Sequence, residues 1–143
     1  MTSDLALKLQ LLLAFLAATP VQTNFAAAGD VIGEWRGTSL CTNRQIAPAC
    51  KDEQVHFVFS KWNSSSGTMH VDARKLVDGK YQSMGEMDLE YAASTDTWSH
   101  RLENPGHQAT WSFHVVGGEL DGTLADQASG AQIRKVSAKR WAQ

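Results

Sequence analysis

The chain has 143 residues, with 13 Lys and Arg against 15 Asp and Glu, and a formal net charge of −2. This length suits one domain rather than two. The charges are interleaved and form no basic stripe that would neutralise phosphates, which argues against nucleic-acid binding. No charged tail points to a membrane surface either.

The first 28 residues differ in character from the rest of the chain. Residues 9–18 form an almost unbroken apolar run, preceded by Lys8 and followed by Pro20 and three alanines ending at Ala28. This layout is typical of a secretory signal peptide cleaved after Ala28, although a retained amphipathic leader is the alternative. A membrane span needs about 20 apolar residues, roughly twice this run. We therefore predict an exported protein, periplasmic or extracellular, with residues 1–28 as signal peptide and residues 29–143 as one domain without a membrane span.

Beyond the leader, short segments of alternating polar and apolar residues are separated by turn residues. This pattern predicts strands, and no helical periodicity extends beyond a turn or two. The eight predicted strands lie at about residues 31–41, 54–60, 68–76, 81–91, 98–103, 107–116, 119–124 and 131–139. Asp78-Gly79 is a strong hairpin signal, and Gly85 marks a bend or bulge within the fourth strand.

The predicted fold is all-β, an eight-stranded antiparallel up-and-down barrel. The connections hold no crossover helix, so consecutive strands should pair antiparallel. A meander of twisted strands either leaves two exposed edges or closes on itself, and closure removes the edges. Eight strands enclose an interior that side chains just fill or that holds one small ligand. A two-sheet sandwich is the alternative architecture.

Residues 33–37, Gly-Glu-Trp-Arg-Gly, open the first predicted strand. A Gly-x-Trp opening, an eight-stranded meander and a basic residue in the last strand resemble the calycin group, which comprises lipocalins, fatty-acid-binding proteins and avidin-like barrels. The resemblance implies that Trp35 closes one end of a calycin-like barrel and stacks with a cation of the last strand. Arg134 is the first candidate for that cation, ahead of Lys135 and Arg140. A tryptophan between glycines on a strand is in any case most often a core anchor.

The chain more closely resembles short exported bacterial proteins described as lipocalin-like. The shared motifs are Trp-x-Gly-x-Ser-x-Cys at residues 35–41, Pro-x-Cys at 48–50, an acidic pair at 52–53 and Gly-Thr-Leu at 122–124. These motifs are structural, so the resemblance implies a fold with an undefined function. The chain is shorter than a typical lipocalin and lacks the helical cap of fatty-acid-binding proteins, which argues against a large lipid cavity.

Cys41 and Cys50 are the only cysteines in the sequence. In an exported protein, an oxidising compartment favours a disulfide between them. Closing a loop of about ten residues stabilises a fold by about 2.7 kcal/mol in the chain-entropy model. A redox-active or metal-binding pair is the alternative, but such pairs favour C-x-x-C spacing, which is absent here. We therefore predict a structural disulfide.

The five histidines raise the question of a metal or cofactor site. Three share strand parity with polar neighbours and are predicted to face solvent: His56, His70 and His114. If Pro105-Gly106 forms a two-residue hairpin, His100 opposes Trp111 and points into the barrel, with His107 near the rim. An interior histidine can ligate a haem or bind a polar ligand. More often, however, it forms a hydrogen bond within the core. No histidine spacing matches a zinc site, so we expect neither a metal nor a cofactor.

Six aromatic residues share the interior parity of the predicted strands: Phe57, Phe59, Tyr91, Trp98, Trp111 and Phe113. They either line a pocket, because ligand sites are mostly apolar with a few polar groups, or fill the barrel. Trp62 falls in a predicted Ser-rich loop at the barrel mouth. There it would act as a lid over the opening or contact a partner. The candidate ligand-binding residues are therefore His100, Trp111, Trp98, Phe57, Phe113 and Trp62.

Catalysis has little support in the sequence. Asp52 and Glu53 point to opposite faces of a strand, and no nucleophile elbow, phosphate loop or dinucleotide fingerprint is present. We predict a lipocalin-like barrel that binds a small hydrophobic ligand and is not an enzyme. The alternative is a filled barrel that acts as a protein-interaction or inhibitor module. Residues 129–131 are similar to the Ser-Gly motif of periplasmic c-type lysozyme inhibitors, although residues 132–133 lack the tyrosine that follows it there.

Overall fold

The computed structural model describes residues 30–142, and the predicted signal peptide lies outside this range. The elements of the described chain are the strands β1 (Gly33–Cys41), β2 (Glu53–Asn63), β3 (Thr68–Val77), β4 (Lys80–Ala92), β5 (Thr97–Asn104), β6 (His107–Val116), β7 (Glu119–Asp126) and β8 (Gln132–Arg140). Each strand pairs antiparallel with the next, and β8 pairs with β1 to close the barrel. The predicted all-β up-and-down barrel is confirmed, and the sandwich alternative is wrong. The architecture is compatible with a calycin-like fold.

The connection between β3 and β4 follows the predicted turn chemistry. Asp78 and Gly79 have φ angles of 49° and 76°, and two positive φ angles are what a type I′ hairpin requires. Gly85, at φ 140°, lies beside a register shift between β3 and β4. A bulge bends a sheet and increases its twist, so this shift helps the wall of the barrel to curve.

The register between β5 and β6 also agrees with the sequence. Asn104 lies opposite His107, and His100 lies opposite Trp111. This pairing confirms the two-residue hairpin at Pro105 and Gly106, and it places His100 on the interior parity of β5 with Trp98 and Leu102.

Trp35 closes one end of the barrel, which we call the closed end. Its side chain is fully buried, and its indole N–H donates a 2.8 Å hydrogen bond to the carbonyl oxygen of Val31. The cation over the indole ring is Arg140, and the prediction that Arg134 takes this place is wrong. Trp35 lies opposite Arg140 in the β1–β8 register, whereas Arg134 lies opposite Cys41. Arg134 is therefore about 20 Å further along the strand.

The core fills the closed half of the barrel. Its large, fully buried side chains include Trp35, Phe57, Phe59, Met69, Leu89, Trp98, Phe113 and Leu120. A smaller cluster of Ala109, Leu124 and Ile133 lies at the opposite end, which we call the open end. The β1–β2 loop covers this second cluster with Ile46 and Ala47.

Trp62 lies in β2 rather than in a loop, because that strand extends to Asn63. Its ring packs edge-on against Trp98, with the centroids 5.1 Å apart. The predicted loop position of Trp62 is therefore wrong, and its ring packs against the core at the closed end. Packing against Trp98 removes apolar indole surface from water, which a position in the Ser-rich turn would leave exposed.

Cys41 and Cys50 form the predicted disulfide, with their Cα atoms 6.0 Å apart. The bond joins the end of β1 to the loop before β2, so it clips that loop at the open end. A disulfide is consistent with an oxidising environment. Within residues 30–142, no helix has the length and apolar character needed to cross a membrane.

Candidate ligand-binding site

The pairing between β4 and β5 is short, and it leaves a gap in the barrel wall. Residues 90–92 of β4 pair with residues 97–99 of β5, and the ladder then stops. The two strands nevertheless continue to Lys80 and Asn104, respectively. Their diverging segments flank an interior space of about 220 Å³, which we call the slot. Residues 84–87 of β4 and two residues of β5, His100 and Leu102, form its sides, and Phe57, Ala73 and Trp111 form its floor.

His100 bridges the gap beside the slot. Its Nδ1 lies 2.9 Å from the backbone carbonyl oxygen of Asp88. A carbonyl only accepts, so His100 donates from Nδ1, and in the neutral ring Nε2 remains an acceptor. The side chain thus ties β5 to β4 where the backbone ladder has ended. The imidazole lines both the slot and an outer groove that also contains Asp88 and Arg101, so it stands between the two.

A second space of about 380 Å³ opens at the open end of the barrel, and we call it the recess. It is lined by Ser39, Glu53, Val55, Phe57, Lys75, Met84, Trp111 and Arg134. Phe57, Met84 and Trp111 line the slot as well, so the two spaces adjoin. The interior is therefore packed at the closed end and partly open at the other.

Three charged side chains share the recess. The Lys75 Nζ lies 3.1 Å from Oε1 of Glu53, and the Arg134 Nη1 lies 3.8 Å from the other oxygen of Glu53. Arg134 also donates to the Ser39 hydroxyl at 3.0 Å and to the Lys51 carbonyl oxygen at 3.0 Å. The neighbouring Asp52 takes no part, because its carboxylate accepts from the backbone N–H of Cys41. The expected divergence of the acidic pair is confirmed.

No protein-family model matches the chain, and a search of curated proteins finds no significant sequence match. The barrel topology is the remaining support for the calycin resemblance, and it concerns the fold alone.

The structure places the six predicted ligand-binding residues in three locations. Phe57, His100 and Trp111 line the slot, and Phe57 and Trp111 reach the recess too. Phe113 lies behind the site, where its ring stacks on Trp111 with centroids 5.5 Å apart and an interplanar angle of 13°. The other two predicted residues, Trp98 and Trp62, pack together in the closed half.

The charged residues of the recess were not among the predicted ligand-binding residues: Glu53, Lys75 and Arg134, the last of which was expected to stack on Trp35. A signal was available, because each shares the interior parity of its strand with an apolar neighbour two residues away, Val55, Ala73 and Val136, respectively. A charge in register with a buried face marks the point where that face reaches water or a polar ligand. Such positions can be found in the sequence, but the sequence does not show that these three side chains meet in one recess.

The other histidines form no common site, and His56 contradicts the prediction of solvent exposure. His56 lies on the outer face but is only 3% exposed, because Tyr81, with ring centroids 5.2 Å away, and Glu34 cover it. Burial lowers the pKa of His56, and the hydrogen bond that its Nε2 donates to Oε2 of Glu34 partly opposes that shift. Among residues 30–142, no group of three or more His, Cys, Asp or Glu is placed to hold a metal ion.

Proposed function

We propose that this chain is an exported, non-catalytic barrel that binds a small hydrophobic ligand in the slot. The observation that carries the proposal is the slot itself, an apolar space with Phe57 and Trp111 as its floor and an adjoining opening to solvent through the recess. Ligand sites have this character, mostly apolar with a few polar groups, and typical volumes begin at about 300 Å³. The slot, at about 220 Å³, is smaller than that, and the recess, at about 380 Å³, is just above it, so the two adjoining spaces suit a small ligand rather than a bulky lipid.

The walls of the slot suit entry of a ligand. Met84 is exposed and Met87 is half-buried, and both belong to the part of β4 that has lost its pairing with β5. Methionine side chains are unbranched and adapt to irregular shapes. This segment is paired with β3 on one side only, and such a segment opens at lower free energy than one that is paired on both sides. A ligand therefore has two routes, through the recess or between β4 and β5.

Export is supported by two independent features. Residues 1–28 have the composition of a signal peptide, and the disulfide between Cys41 and Cys50 is typical of an oxidising compartment.

The inhibitor or interaction module has less support. That alternative requires a filled barrel and a contact surface around Trp62 or the turn at residues 126–130. Trp62 is committed to packing against Trp98. The turn is held by Asp126, whose Oδ2 accepts from both the N–H and the hydroxyl of Ser129, so its serine already has a structural role.

The test is a titration with N-phenyl-1-naphthylamine, an uncharged probe that fluoresces in apolar surroundings. Wild-type protein should bind it saturably, and Ala73→Leu should weaken binding about tenfold because the larger side chain fills the slot. Ala92→Leu is the matched control, since Ala92 is exposed on the same barrel, and it should bind as wild type does. Circular dichroism checks that each variant is folded. Absence of saturable binding, or equal affinity in Ala73→Leu, would overturn the proposal.

A further inference from the structure

We propose that the ligand carries a single negative charge, a carboxylate, and that Lys75 and Arg134 bind this head group in the recess. The inference rests on the proposed function, because it assigns the chemistry of the ligand that occupies the slot. It depends on the three charged residues of the recess, which were not among the predicted ligand-binding residues.

The charge balance of the recess favours an anion. Two cations, Lys75 and Arg134, face one carboxylate, that of Glu53, so the recess holds one positive charge in excess. The side chains of Arg134 and Glu53 are only 15% and 20% exposed. Charge withdrawn from water needs a partner, and an incoming carboxylate supplies one. A dianion is a poorer match, because Glu53 would oppose its second charge.

The cations also have hydrogen-bond donors available in a fixed geometry. Arg134 is held by Ser39 and by the Lys51 carbonyl oxygen, so its position is set before a ligand arrives. The Lys75 ammonium has three donors, and within residues 30–142 it donates one hydrogen bond, to Glu53. Pre-organised donors lose little entropy on binding. Lys75 is 41% exposed, which lets it meet a ligand from solvent.

The surrounding residues orient the ligand. The apolar floor that the recess shares with the slot, Phe57 and Trp111, leads from the cations toward the gap between β4 and β5. Among the residues that line the slot, none is a lysine or an arginine. A carboxylate at that far end would lack the cations that it meets in the recess. The head group therefore belongs in the recess, with the hydrocarbon portion in the slot.

The experiment compares octanoate with 1-octanol, which have the same chain length but differ in head group. Isothermal titration calorimetry at pH 7.5 should show octanoate binding wild-type protein about tenfold or more tightly than 1-octanol, the gain expected of a charged hydrogen bond. Lys75→Gln should weaken octanoate binding about tenfold. Glu53→Gln should strengthen it by a similar factor, because it frees both cations. Neither substitution should change 1-octanol binding by more than about twofold.

The opposite effects of Lys75→Gln and Glu53→Gln on octanoate affinity distinguish head-group recognition from a structural role of these residues. A merely structural role for the ion pairs predicts that Lys75→Gln and Glu53→Gln weaken both ligands together, and that result would overturn the inference. Lys75→Arg keeps the charge and should retain octanoate binding. Equal affinity of wild-type protein for octanoate and 1-octanol would refute the inference that the ligand has a carboxylate head group, but it would leave the proposed function standing. Binding of neither ligand would refute both.

Discussion

Arg140 lies over Trp35, with the guanidinium carbon 4.3 Å from the centroid of the indole ring. The same guanidinium donates to the carbonyl oxygens of Ile32, at 2.7 Å, and of Asp30. One side chain of the last strand thus covers the buried indole and holds the backbone that leads into β1. The closed end of the barrel is built around this pair.

Arg140→Gln should lower the free energy of unfolding by about 1–3 kcal/mol, because it removes the cation–π contact and charged hydrogen bonds together. Urea denaturation followed by tryptophan fluorescence measures the change. Lys139→Gln is the control: Lys139 is highly exposed, and its replacement should cost less than about 0.5 kcal/mol. Equal stability of the two variants would contradict the role given to Arg140.

Gly37→Ala should destabilise the barrel by about 1–3 kcal/mol or more, the cost of overpacking a tight interior. A Cβ atom on Gly37 would lie 1.9 Å from the backbone oxygen of Ser137, and relief requires β1 to move away from β8. Thr38→Ala, at the exposed neighbouring position, serves as control in the same urea titration. A Gly37→Ala protein that unfolds at the wild-type urea concentration would show that the strands are further apart than described.

Replacing both Cys41 and Cys50 by serine should lower the free energy of unfolding by about 2.7 kcal/mol through the entropy of a ten-residue loop. The released loop also carries Ile46 and Ala47, which pack on the second cluster, so the loss should not fall much below this value. Wild-type protein denatured in the presence of dithiothreitol should unfold at the same urea concentration as the double variant. If reduction left wild-type stability unchanged, the disulfide would not stabilise the fold.

His56 should make the protein less stable in mild acid. Burial lowers its pKa in the folded state below the ordinary 6.5, so the unfolded chain takes up a proton at higher pH than the folded one. The stability contribution is therefore complete above pH 6.5 and is lost as the pH falls from 6.5 toward the folded pKa.

His56→Gln tests this expectation. The variant should show a shallower fall in unfolding free energy between pH 7.5 and pH 5 than wild-type protein does. The same substitution at His107, which is exposed, controls for the loss of a histidine elsewhere. Parallel pH profiles for wild-type protein and His56→Gln would assign the acid sensitivity to other groups.

Trp62→Ala should lower the free energy of unfolding by about 2 kcal/mol, less than for a fully buried tryptophan because the ring is half-buried against Trp98. Its affinity for N-phenyl-1-naphthylamine should stay within about twofold of wild type, since Trp62 lies at the closed end. Unchanged stability together with lost probe binding would restore the role of Trp62 as a lid.

The strands and their order were readable from local features of the sequence. Alternation of polar and apolar residues located all eight strands to within a few residues, because each side of a strand faces a different environment. Turn residues located the hairpins between the strands, as Asp78-Gly79 and Pro105-Gly106 illustrate. Once the turn length is known, the register of β5 and β6 follows, and with it the interior position of His100.

The errors concern residues whose surroundings come from other strands. His56 has the parity of a solvent-facing residue, yet Tyr81 of β4 and Glu34 of β1 cover it. Arg134 was expected to stack on Trp35 because it lies well inside the last strand, whereas Arg140 is that strand's final residue. The β1–β8 register instead places Arg140 opposite Trp35. That register depends on the stagger with which the barrel closes, which no local turn encodes.

By itself, the sequence determined the strands and which side chains face inward, because these depend on neighbours a few residues away. It also determined the direction of pairing, because the connections are too short for crossovers. Only the tertiary structure decided which cation covers Trp35, where the wall opens between β4 and β5, and that Glu53, Lys75 and Arg134 meet in the recess. These outcomes depend on the stagger and tilt of all eight strands together, so residues far apart in the chain become neighbours only when the barrel closes.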